Sequence, residues 1–223
     1  MISKLIGNIS KMRTNTLKSF GKNLHTNCFR ITLCDQNIEI AAILANTFKE
    51  ADDVEVIQGN LFHLWADALV SPANSFGDMS GGLDKAIDNF YGKKAQSMVQ
   101  NSIREKYLGE LPVGAAVTLQ MPNKQFPNLM VAPTMRIPGK VANSLNAYLA
   151  MRAILVELIQ INKKQAGAIK SIVIPSLCTG VGRMPYQESA NQIFTAYKNI
   201  IFGGWLDVAH PAMAPYALKA QSV

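Results

Sequence analysis

Between Phe29 and Ile201 the apolar residues fall into two alternating rhythms, short continuous runs and longer three-and-four spacings, which is the pattern of strands interleaved with helices. Phe29 to Cys34 reads as a strand. Asn37 to Ala51 places Ile38, Ala41, Ala42, Leu44 and Phe48 on one helical face, and Val54 to Gln58 returns to strand character, so these segments form a βαβ unit. Further strands are predicted at Ala68 to Ser71, Ala115 to Met121, Leu129 to Pro133 and Ser171 to Pro175. Several are unbroken apolar runs, as strands covered on both faces are, which predicts a largely parallel sheet. The strongest helical period runs from Asn143 to Asn162 through Leu145, Tyr148, Leu149, Arg152, Leu155, Val156 and Ile159. A second long helix follows Pro185 with Ala190, Ile193, Phe194, Tyr197, Ile200 and Ile201 inward, and shorter helices are expected at Leu83 to Phe90 and Lys93 to Tyr107. Phe62 and Trp65 are read as packing residues.

Composition narrows this α/β reading. No segment approaches the roughly 18 uninterrupted apolar residues that a bilayer span needs, so no membrane partner is expected. Cys28, Cys34 and Cys178 contain no close pair of the zinc-clamping kind, and His25, His63 and His210 are scattered, so neither a metal nor any cofactor is expected. Reduced thiols fit a cytoplasmic compartment. The net charge of +7 is concentrated at one end: Lys4, Lys11, Arg13, Lys18 and Lys22 lie in residues 1–27 without an accompanying acid. This stretch is expected to be a basic extension, of a composition common to flexible tails and mitochondrial transit peptides. Residues 28–223 are expected to form one domain, with a C-terminal extension after about residue 203. The domain carries only the remaining +2, which gives direct nucleic-acid binding little support.

Two stretches carry candidate chemistry, because each follows a strand, contains glycines and opens into a helix. The first runs from Ser71 through Pro72, Ala73, Asn74, Asp78, Ser80, Gly81 and Gly82 to Asp84. The second runs from Ser176 through Cys178, Thr179, Gly180, Val181, Gly182 and Arg183 to Pro185. In parallel sheets ligands bind beyond the carboxyl ends of the strands, and bare amides there, together with helix starts, favour an anion. Neither a P-loop nor the G-x-G-x-x-G fingerprint is present, so the common mononucleotide and dinucleotide motifs are not the explanation.

Four elements in order, Gly59-Asn60-Leu61, Ser71-Pro72-Ala73-Asn74, Ser80-Gly81-Gly82-Leu83-Asp84 and Thr179-Gly180-Val181, resemble the macro-domain family over roughly Ile31 to Ile201. The form Ser-Pro-Ala-Asn-Ser-Phe-Gly, with Ala132-Pro133-Thr134-Met135-Arg136 downstream, looks like the branch associated with ADP-ribose-1″-phosphate processing. The resemblance implies a three-layer α/β/α fold with a largely parallel, mixed central sheet. It also implies binding of ADP-ribose or of an ADP-ribosylated macromolecule, with either hydrolysis at the distal ribose or a non-catalytic reader role.

Carried over position by position, Asn74 would hold the distal ribose and Asp84 would orient or deprotonate water. Asp78 is open between a second carboxylate for this chemistry and a turn cap. Asn60 stands where most relatives place the acid that reads the adenine amino group, and its amide oxygen would accept without charge assistance. Leu61, Ala73, Ser80, Gly81, Gly82, Thr179, Gly180, Val181 and Gly182 complete the expected ligand-binding set. Arg183 is open between a grip on a terminal phosphate and an exposed arginine. Cys178 is read as a buried thiol.

Overall fold

The structure, a computed structural model, describes residues 29–204, so the basic extension and the segment after Gly204 lie outside the described residues. Six strands, β1 (Arg30–Asp35), β2 (Val54–Gln58), β3 (Ala68–Ser71), β4 (Val117–Gln120), β5 (Asn128–Val131) and β6 (Ser171–Pro175), form one sheet in the order β2-β1-β6-β3-β5-β4. All neighbours are parallel except β4 and β5, which run antiparallel with Val117 opposite Val131. Among the described residues the five α-helices are α1 (Ile38–Thr47), α2 (Gly82–Phe90), α3 (Ala95–Tyr107), α4 (Asn146–Lys164) and α5 (Tyr186–Ile201).

Alternate strand residues feed two cores, as the two-residue period requires. Ile31, Leu33, Val70, Ile172 and Ile174 pack under α1, α4 and α5, whereas Leu69, Val131 and Val173 pack with Ile87 of α2 and with Val99 and Ile103 of α3. The result is three layers with the sheet in the middle. Each fully buried Leu, Ile or Val contributes about 1.5–3 kcal/mol, which explains why β3 and β6 are nearly uninterrupted apolar runs.

Three packing expectations are corrected. Asn37 caps α1, its Oδ1 accepting from the amides of Glu39 at 2.8 Å and Ile40 at 3.3 Å, and the resulting phase buries Ile40 and Leu44 while Ile38 is 75% exposed. In α4 the core stripe includes Ala147, Ala150, Met151, Ile154 and Leu158 and leaves Arg152 outside. A stripe with several alanines does not stand out in a count of large apolar residues. Trp65 is 73% exposed, while Phe62 does pack, stacked on Phe90 at 5.0 Å between ring centroids.

Candidate functional site

Because β2, β1, β6, β3 and β5 are parallel, their carboxyl ends share one edge, and the segments that follow them line a single cleft of about 790 Å³. That volume suits a ligand of nucleotide size. Asn60 and Leu61 come from the end of β2, Asp35 to Asn37 from β1, Ser176 to Gly182 from β6, Ala73 to Asp84 from β3, and Thr134 and Met135 from β5.

The first loop is organised by Asn74. Its Nδ2 donates to the Asp78 carbonyl at 2.7 Å, and its Oδ1 accepts from the amides of Phe76 at 3.1 Å and Asp78 at 3.3 Å. Asn74 is thus a brace of its own loop, with one amide N–H left uncommitted in the lining of the cleft. The exposed Asp78 is a turn cap, one oxygen accepting from the Ser80 amide and the other from the Ser80 hydroxyl, both at 3.0 Å. Gly81 caps α2 without a side chain, so the first-turn amides of Gly82, Leu83 and Asp84 are left to the cleft, and Gly82 takes the glycine-favouring φ of 55°. Asp84 sits in that turn, partly buried. Ser71, fully buried at the end of β3, donates its hydroxyl to the Asp84 carboxylate at 2.6 Å. Burial lifts the Asp84 carboxyl to about 6, Ser71 opposes that rise and the nearby Asp78 charge adds to it.

In the second loop, among the described residues, the amides of Thr179, Gly180, Val181 and Gly182 have no hydrogen-bond partner. The loop is closed instead by Met184 donating to the Cys178 carbonyl at 3.0 Å and Val141 donating to the Gly182 carbonyl at 2.8 Å. Gly182 is required by contact: a Cβ would lie 2.5 Å from the Cys178 carbonyl oxygen and 2.8 Å from the Val141 side chain. Gly182→Ala is therefore expected to lower the stability measured by denaturant unfolding by about 1–3 kcal/mol, the usual cost of forced overpacking. An unchanged midpoint would show that the loop yields freely. Arg183 is exposed and lies outside this cleft, bordering a shallow hollow with Thr179, Met184, Pro185 and Tyr186.

At the β2 end, Asn60 uses its Oδ1 to cap the short turn at Leu61–His63, accepting from the Phe62 amide at 3.0 Å. Its amino group is the part left to the cleft. Sequence reasoning placed Ser176 at the head of the second loop but missed its partner Asp35. Asp35 accepts the Ser176 hydroxyl with one carboxylate oxygen and the Asn37 amide, at 2.8 Å, with the other. Ser176 also meets Thr179, oxygen to oxygen at 2.8 Å. No local motif announces this contact, because the partners are 141 residues apart. Thr134 braces the first loop from β5: its hydroxyl donates to the Pro72 carbonyl at 2.9 Å and its amide to that of Ala73 at 2.9 Å.

Burial pushes the Cys178 thiol up to about 12, and burial together with the Asp35 charge pushes Cys34 up to about 11, so neither is a thiolate nucleophile at neutral pH. Among the described residues no group of three or more His, Cys, Asp or Glu is placed to hold a metal ion, and no helix is long and apolar enough to cross a membrane.

A family model described as the Macro domain matches residues 70–193, which contain both glycine-bearing loops but not Asp35 or Asn60. An uncharacterised protein of Aquifex aeolicus is 31% identical over 138 residues, covering 62% of this chain and 76% of its own. One of Aeropyrum pernix is 30% identical over 150 residues, covering 67% and 72%. Among solved structures, the macrodomain of Mycobacterium tuberculosis DarG aligns with a TM-score of 0.53 at 16% identity, covering 63% of this chain and 87% of that one. An Oceanobacillus iheyensis macrodomain variant solved with ADPR aligns at 0.51 and 23% identity, covering 61% and 72%.

Proposed function

The chain belongs to the macro-domain family, and on that premise we propose that its cleft binds ADP-ribose and hydrolyses a bond at the distal ribose. The observation that carries this reading is a partly buried carboxylate with a raised pKa in the same cleft as two sets of uncommitted amides. The amides at 179–182 and at the start of α2 clamp the diphosphate. Asn74 offers its remaining N–H to a ribose hydroxyl. Asp84 takes a proton from the attacking water, whose oxygen forms the new bond as the leaving group departs. No cofactor enters this scheme. The leaving group is a phosphate, a side chain of a modified protein or a nucleic-acid group, since the cleft residues described recognise the ADP-ribose portion.

Calorimetry tests the binding half of the proposal. ADP-ribose is expected to bind, and more tightly than AMP, because AMP lacks the diphosphate and the second ribose. Folded protein that gives no heat with ADP-ribose at millimolar concentration would remove the function while leaving the fold intact. Turnover is tested with ADP-ribose-1″-phosphate and with ADP-ribosylated glutamate, arginine and nucleic-acid substrates. Binding without turnover across that panel would assign the chain a reader role.

A further inference from the structure

The hydroxyl of Ser176 has one proton, and the structure assigns it to Asp35. As a carboxylate Asp35 can only accept, and its second oxygen is already taken by the Asn37 amide. The contact of 2.8 Å between Ser176 and Thr179 must then be made with the Thr179 proton. Thr179 therefore turns its hydrogen inward and presents only lone pairs to the cleft. This is a poor neighbour for a terminal phosphate, whose oxygens are acceptors with a further negative charge, and a good one for a ligand hydroxyl.

We propose that Asp35 is a specificity-determining positioning residue: through Ser176 it fixes Thr179 as an acceptor. The loop then offers amide donors to an esterified diphosphate and a lone pair to a hydroxyl beside it, and discriminates against a terminal phosphate. The inference rests on the ADP-ribose reading above and adds the residue that sets the discrimination between a diphosphate diester and a terminal phosphate. Asn37 also makes the effect of one substitution predictable. In Asp35→Asn the new side chain must keep its oxygen toward the Asn37 N–H, so its amino group faces Ser176 and donates. Ser176 then donates to Thr179, and the Thr179 proton turns outward.

The experiment measures dissociation constants for ADP-ribose and ADP by calorimetry in wild type, Asp35→Asn, Ser176→Ala and Thr179→Val, with thermal melts to confirm folding. Wild type is expected to prefer ADP-ribose. Both Asp35→Asn and Ser176→Ala free the Thr179 proton for a phosphate oxygen, so the preference should fall about tenfold in each, the scale of one hydrogen bond to a charged group. Removing the Asp35 charge strengthens every anion, whereas Ser176→Ala changes no charge, so a ratio that moves in Asp35→Asn alone would overturn the proposal. A ratio unmoved in both variants would overturn it as well. With Thr179→Val in the background, Asp35→Asn should no longer shift the ratio beyond its charge effect, an outcome that a purely structural role for Asp35 would not produce. If Ser176→Ala does not fold, Ser176→Cys, a much weaker hydrogen-bonding group, replaces it with the same expected direction. Wild type that binds neither ligand would instead overturn the ADP-ribose reading itself.

Discussion

Replacing Asp84 by alanine is expected to reduce turnover by about 10²-fold or more, while the affinity for ADP-ribose stays within a few-fold of wild type. The asymmetry follows from the site. In the proposed mechanism the diphosphate is held by backbone amides that the substitution leaves in place, and the carboxylate acts on the water, so its loss would be felt in the transition state. The base must be ionised, and its carboxyl is lifted to about 6 by burial, so kcat/KM should fall as pH drops through about 6. Turnover unchanged in Asp84→Ala would leave an enzyme whose base lies elsewhere. The same burial makes Asp84 costly to the fold. Its folded pKa lies above the ordinary value of 3.8, so the folded protein binds this proton more tightly than the unfolded chain. The stability associated with that proton is complete below about pH 4 and is lost as pH rises through about 6. Asp84→Asn should thus raise the unfolding free energy at pH 8 by up to about 3 kcal/mol, the value of a shift near two pK units, and by little at pH 4. Denaturant melts at the two pH values decide it, and an equal effect at both would assign the change to packing.

Asn74→Ala should behave in the opposite manner, damaging stability, binding and turnover together. The side chain is 6% exposed and makes three hydrogen bonds that hold residues 74–78, so its removal leaves the Phe76 and Asp78 amides and the Asp78 carbonyl without partners. At about 1 kcal/mol for each bond the expected cost is about 2–4 kcal/mol, with ADP-ribose affinity down by at least about tenfold because the loop that carries Asp78 to Gly82 loses its brace. Interactions shared by ground and transition states depress kcat/KM mainly through binding, which distinguishes this variant from Asp84→Ala. Wild-type stability in Asn74→Ala would show that the loop is held by other contacts.

Much of this architecture was legible in the sequence, and the reasons differ by element. Strands β2, β3 and β6 were read to their observed ends, β3 and β6 because they are nearly continuous apolar runs, and β2, which carries Glu55, because it follows the α1 spacing and ends before Gly59. The strand predicted from Ala115 to Met121 pairs only over Val117–Gln120, where β5 is opposite it. Helix phase was harder. Ile40 is buried because it lies four residues before Leu44 on the same face, off which Ile38 falls, and the α4 stripe depends on alanines that a search for large residues passes over. In the site, both glycine-bearing loops and Asp84 were visible because each loop is continuous in sequence. The Asp35 contact was not, because it joins the ends of β1 and β6. Asn74 was recognised but its geometry was not, since residue type and spacing do not reveal that its oxygen is spent on the Phe76 and Asp78 amides.

That junction of β1 with β6 also sets an order of events. Arg30 pairs with Ser171 and Asp35 reaches Ser176, so the central seam of the sheet joins the first described strand to the last. A growing polypeptide leaving the ribosome can assemble β1, α1 and β2 early, yet the gap between β1 and β3 stays open until β6 has emerged. The exposed edges of β1 and β3 are a hazard during that interval, and closing so long a loop is slow. The cleft is completed by the same pairing, so competence to hold a ligand arrives together with the filling of the sheet, and a truncated product that ends before Ser171 has neither.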